Sequence, residues 1–132
     1  MNKVVARFTD GRVVKGVTSD FVPGKDRFHV SPIEAPPGSR PMAVQTKDLK
    51  ALFFVKDFKG NPQHWECKEF DPSRPPVGRK IKVVFKDGEV MVGTTQGYQP
   101  GRPGFFLVPA DVESNIVRCY VVSGATEEIA FL

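Results

Sequence analysis

The chain has 132 residues, enough for one ordinary domain or two very small ones. No apolar run approaches the roughly 20 residues a membrane-spanning helix needs, and two cysteines, Cys67 and Cys119, are too few for a disulfide scaffold. The +4 formal charge is unevenly spread: residues 1–79 hold 14 Lys/Arg against 9 Asp/Glu (+5), and residues 80–132 hold 5 against 6 (−1). A basic first half suits an acidic partner, of which nucleic acid is one kind, and it equally suits a solvated surface. The opening Met1-Asn2-Lys3-Val4-Val5 runs straight into a strand pattern, so the chain reads as cytoplasmic with reduced thiols, one disulfide being left open. Eleven Phe and frequent Val favour strands, twelve Gly and twelve Pro punctuate them, and no long amphipathic helix is present.

In chain order, Val4, Ala6 and Phe8 alternate with polar neighbours, the period-two pattern of a strand with one buried face. Asp10-Gly11 is a two-residue hairpin turn, where Gly supplies positive φ. Arg12–Thr18 forms the second strand, and Gly16 inside it predicts a bend or a close backbone approach. After the Pro23-Gly24 turn comes a third strand, Arg27–Ser31, then a Pro-rich loop, Ser31–Pro41. Met42–Gln45 and Ala51–Val55 are strands four and five, joined by a short turn at Thr46–Leu49. Lys56–Arg79, with Pro62, Pro72, Pro75 and Pro76, is too long for a tight turn and reads as a surface connector.

The pattern then begins again. Lys3–Pro32 laid over Lys80–Pro109 without gaps matches at eleven of thirty positions, a repeat of 77 residues. The identical pairs are Lys3/Lys80, Phe8/Phe85, Asp10/Asp87, Gly11/Gly88, Val13/Val90, Gly16/Gly93, Thr18/Thr95, Pro23/Pro100, Gly24/Gly101, Phe28/Phe105 and Pro32/Pro109. The second set of strands is expected at Ile81–Phe85, Glu89–Thr95, Gly104–Val108, Arg118–Val122 and Ile129–Leu132, with an acidic loop, Pro109–Asn115, and a turn at Gly124–Glu127.

Five short strands with a hairpin at "DGRVVKG" and a turn between strands four and five resemble the Sm-like fold. "FTDGRVVKGVTSDF" resembles the first Sm motif, and "FKDGEVMVGTTQGY" is a looser match. The resemblance implies two tandem five-stranded Sm-like barrels, and tandem copies of this kind also resemble an uncharacterised bacterial domain family. Sm-like proteins bind RNA through an Asp-x-x-Met-Asn type loop and a basic-Gly pair. Here the corresponding segments read Asp20–Arg27 and Gly97–Gly104, then Lys47–Lys50 and Gly124–Glu127, without those patterns. The resemblance therefore carries a fold and not an RNA site.

His64 and Cys67 have an H-x-x-C spacing, which His29 and Cys119 could complete as metal ligands, but no second close pair exists and no metal is expected. Arg74 and Arg79 resemble the basic lead-in of PilZ domains, but their spacing is one residue too long and the following motif is missing. No nucleophile elbow, phosphate loop or H-E-x-x-H is present, so no enzyme and no cofactor are expected. Binding candidates remain. Lys25 and Arg27 lie beside Phe21 and Phe28, and Arg102 lies between Tyr98 and Phe105, combinations that can stack on bases or hold a protein. Trp65, the single Trp, either plugs the junction between the units or anchors a partner.

The expectation is an all-β protein: a first Sm-like barrel over 1–58, a connector over 59–78 and a second barrel over 79–132. The two would meet in a pseudo-twofold arrangement, or one sheet would run through both. The expected function is a non-enzymatic protein-interaction or scaffold module, or alternatively RNA binding through the basic first repeat. Edge strands could pair with another chain, which leaves the oligomeric state open.

Overall fold

The computed structural model of the protein describes residues 1–59, 68–70, 72–73, 77–111 and 113–132. It is all-β. Its strands are β1 (Asn2–Phe8), β2 (Val13–Thr18), β3 (Arg27–Pro32), β4 (Met42–Gln45), β5 (Leu49–Val55), β6 (Arg79–Phe85), β7 (Val90–Thr95), β8 (Gly104–Pro109), β9 (Ile116–Val122) and β10 (Thr126–Phe131). Single 3₁₀ turns, Thr46–Asp48 and Ser123–Ala125, join β4 to β5 and β9 to β10. The expected strands fall where their alternation and turn residues put them, to within a few residues at each end.

All ten strands form one open antiparallel sheet in the order β10-β6-β7-β8-β9-β5-β1-β2-β3-β4. A closed barrel for each half is therefore not what the pairings describe. A pseudo-twofold meeting of like edges is not seen either, because the halves join through unlike strands, β5 against β9. Their register is Ala51 opposite Val121, Leu52 opposite Tyr120, Phe53 opposite Cys119 and Phe54 opposite Arg118.

The local reasons are visible residue by residue. Gly11 and Gly88 both have φ of +94°, the left-handed conformation these hairpin turns require. Gly16 faces Pro32 across the β2–β3 ladder and Gly93 faces Pro109 across β7–β8. A Cβ on either would collide with the facing backbone, at the Ser31 carbonyl or the Val108 carbonyl. Both glycines thus permit the close approach that their place inside a strand implied.

Two hydrophobic clusters hold the sheet together. One gathers Val4, Ala6, Phe8, Phe28, Val30, Val44, Leu52 and Phe54 with Tyr120 and Val122. The other gathers Ile81, Val83, Phe85, Phe105, Leu107, Cys119 and Val121 with Ala51, Phe53 and Val55. The middle strands β5 and β9 thus send alternate side chains into opposite clusters, because successive side chains of a strand point to opposite faces. Every residue of β5 is buried. This accounts for its nearly unbroken apolar sequence, Ala51-Leu52-Phe53-Phe54-Val55, where a half-exposed strand would alternate.

Candidate functional site

The seam between β5 and β9 is built from both halves. Tyr120 enters the cluster of the first half, where its ring packs edge-on against Phe21 (5.1 Å between centroids) and Phe106 (5.3 Å). Gly104 lies so close to that ring that a Cβ there would strike it. Burial pushes the Tyr120 phenol above its ordinary pKa, which the nearby Gly24 backbone offsets only in part.

A bulge in β5 places one charged residue at this seam. Arg7 faces Ala51 and Phe8 faces Leu49, so Lys50 is the extra residue between them. The buried Lys50 ammonium reaches the β6–β7 turn of the other half, bonding Asp87 at 2.7 Å and Glu89 at 2.5 Å. It also sits 4.7 Å from the centroid of the Phe85 ring. Its hydrogen bond holds the Asp87 carboxyl below the usual range. A cleft of 690 Å³ opens beside the seam, with Arg7, Lys15, Lys56 and Glu89 around Phe53. At its rim Asp57 and Asn115 bond each other reciprocally, the Asp57 N–H donating to Asn115 Oδ1 (3.0 Å) and Asn115 Nδ2 to the Asp57 carbonyl (2.7 Å).

Among the described residues, the two outer strands have no neighbour on one side, β4 pairing with β3 and β10 with β6. The two free edges differ in charge. β10 carries Glu127 and Glu128, both exposed, whereas Lys47 lies in the 3₁₀ turn that follows β4 and Arg27 faces Gln45 of β4 from the next strand.

The candidate binding residues are distributed between equivalent loops. Lys25 lines a smaller cleft of 320 Å³ with Gly24, Asp26, Gln45, Lys47, Pro103 and Tyr120, so the first half's loops and the second half's β8–β9 region share one concavity. Arg27 is exposed at the start of β3, beside this cleft. Arg102, next to Pro103, donates through Nε to Gln99. Tyr98 packs edge-on against Phe105 (4.9 Å) and Phe131 (5.7 Å), and Phe21 packs on Phe28 at 5.0 Å. These aromatic rings are taken up by packing, whereas Lys25, Arg27 and Arg102 are exposed, with the exposed Asp26 between the first two. Trp65, His64 and Cys67 lie outside the described residues. Among the described residues, no group of three His, Cys, Asp or Glu side chains could hold a metal ion. His29 bonds Asp20 through Nδ1 at 2.7 Å, and Cys119 lies in the core of the second half. Among the described residues, no helix is long and apolar enough to cross a membrane.

The Asp20–His29 pair and the Lys50–Asp87–Glu89 cluster escape sequence reasoning, because each joins residues from different strands or halves. A signal for the second was present in the comparison of equivalent positions. Lys50 stands where the second half has Glu127, and Glu89 stands where the first half has Arg12.

An open, all-β sheet with two unlike edges is thus the class of protein that the structure defines. By sequence, the chain belongs to a family of unknown function, DUF6982, which matches it over residues 1–132. No curated protein and no solved structure matches the chain significantly.

Proposed function

We propose that the protein is a non-enzymatic interaction module, built from two Sm-like units over 1–58 and 79–132 and joined by the connector 59–78. The recurrence of strand pairings 77 residues apart supports the duplication, Gly16–Pro32 and Gly93–Pro109 being one instance. In this reading each unit is a small, incompletely closed barrel wrapped around its own cluster, and the two share β5 and β9. The observation that carries the interaction reading is the open sheet, which among the described residues ends at both sides in a strand paired along one edge.

A partner strand that adds to an edge forms main-chain hydrogen bonds there and takes its specificity from the flanking side chains. The test is capture of protein partners by the purified chain, compared with an Ala43→Pro variant that removes an outward N–H of β4. Partners retained by the wild type and lost by the variant support edge recognition. Capture that is indifferent to the substitution, or recovery of nucleic acid alone, refutes it.

A second reading, nucleic-acid binding by the basic first half, is favoured by Lys25 and Lys47 sharing one cleft with Arg27 beside it. It predicts affinity for mixed RNA and DNA that falls steeply with salt. It also predicts loss of binding on combining Lys25→Glu with Arg27→Glu. Absent or salt-independent binding removes it.

A further inference from the structure

We infer that the 690 Å³ cleft beside the seam takes a short acidic peptide that carries apolar side chains. This inference rests on the interaction reading above and adds to it a second surface, away from the edges of β4 and β10.

Two cations of the cleft belong to the paired strands β1 and β2. In their register Val5 faces Lys15 and Arg7 faces Val13. Opposite residues, and residues two apart along a strand, share a sheet face, so these four side chains form one patch. Arg7 and Lys15 are its diagonal neighbours, about 7–8 Å apart at Cα. Neither forms an ion pair among the described residues. Asp87, which feels the charge of Arg7, is bonded directly to Lys50. The duplication does not require the two cations, since Val84 and Val92 stand at the equivalent places in the second half.

Both are held in position over the cleft. The Arg7 guanidinium lies 5.5 Å from the Phe53 centroid. The Lys15 ammonium donates to the Phe58 carbonyl at 3.0 Å, which engages one of its three donors. With Lys56, Lys59 and Lys68, five cations line the cleft against three acids among the described residues. Of those acids, Glu89 is bonded to Lys50, and Asp57 accepts the Lys59 N–H through Oδ1. The floor between the charges is apolar, with Val5, Val13 and Phe53 from the first half and Met91 and Ile116 from the second.

This combination selects among anions. A bare polyanion would leave the apolar floor in water. Single-stranded nucleic acid needs open rings on which bases stack, and Phe53 is 5% exposed beneath Arg7. A flat membrane surface does not enter a concave cleft. A ligand with a single carboxylate answers one cation of five. An acidic peptide with interspersed apolar side chains meets both features: carboxylates reach the rim, where an arginine can take one bidentately, and apolar side chains cover the floor. The cleft volume lies within the range of about 300–1,000 Å³ that encloses small ligands, which suits a few peptide side chains and not a folded domain.

The test is fluorescence anisotropy of labelled short peptides in which Asp or Glu alternates with Leu or Phe, titrated with the full chain. Circular dichroism confirms that each variant is folded. The wild type binds, and Arg7→Glu and Lys15→Glu each weaken binding about tenfold. Arg40→Glu, the same charge change on the exposed Pro-rich loop, leaves it unchanged. Val13→Ser, at a position 51% exposed, removes apolar floor without altering charge and weakens binding about threefold. A wild type that fails to bind overturns the inference, and capture of another protein that is lost in Ala43→Pro would then leave the interaction reading standing. Arg7 and Lys15 variants that bind like the wild type overturn the assignment of the site. Polyglutamate or single-stranded RNA of equal charge that displaces the peptide as well as unlabelled peptide does overturns the class of partner.

Discussion

The Lys50 cluster makes an asymmetric prediction about stability. The Lys50 side chain is only 8% exposed, whereas Asp87 and Glu89 are 55% and 41% exposed. Replacing Lys50 by Met keeps an apolar stem of similar length against Phe85 and returns both carboxylates to water. Pairs with well-solvated partners contribute little, so the expected loss is about 1 kcal/mol or less. Replacing Asp87 by Asn and Glu89 by Gln instead leaves a buried ammonium facing neutral amides. Breaking a buried pair from the solvated side costs about 3–5 kcal/mol when the remaining charge is fully enclosed. The partner carboxylates of Lys50 are about half exposed, so about 2–3 kcal/mol is expected once partial solvation is allowed for. Urea unfolding at neutral pH, with an unchanged denaturant slope, measures both differences. The chain with all three substitutions should resemble Lys50→Met alone, because no buried charge remains. If Lys50→Met proves the more damaging change, the ammonium is not held by these carboxylates and the account of the seam fails.

Gly93→Ala should destabilise the fold by about 2 kcal/mol, since the new Cβ meets the Val108 backbone, which cannot move aside as a flexible side chain would. Thermal unfolding measures it, and a neutral result would mean that β7 and β8 are not in close contact. Asp20 accepts hydrogen bonds from the His29 ring and backbone N–H, which hold its carboxyl below the ordinary value. A lowered folded pKa gives stability that is fully present above the unfolded value of about 3.9 and lost as pH falls through the folded one. Asp20→Asn should flatten this part of the acid limb of a stability–pH curve, and an unchanged limb would refute the assignment.

Local chemistry alone determined much of this protein. Alternation at Val4, Ala6 and Phe8, the Asp-Gly turns, and glycines inside the second strand of each half located the strands, because each signal depends on residues adjacent in the chain. The +5 and −1 balance of the two parts was equally legible, since charge needs no fold to be counted.

Tertiary structure decided which edges meet. The pairing of β5 with β9, the burial of a lysine beside a turn 37 residues away, and the openness of β4 and β10 follow from contacts between remote segments. Strand periodicity specifies a face and not a neighbour. The trace of that decision does survive in the sequence, as unequal residues at equivalent places: Phe53 against Ala130, Tyr120 against Ala43, Lys50 against Glu127. Each is apolar, bulky or inverted in charge according to whether its strand was sealed inside the chain or left at an edge, and only the assembled sheet shows which.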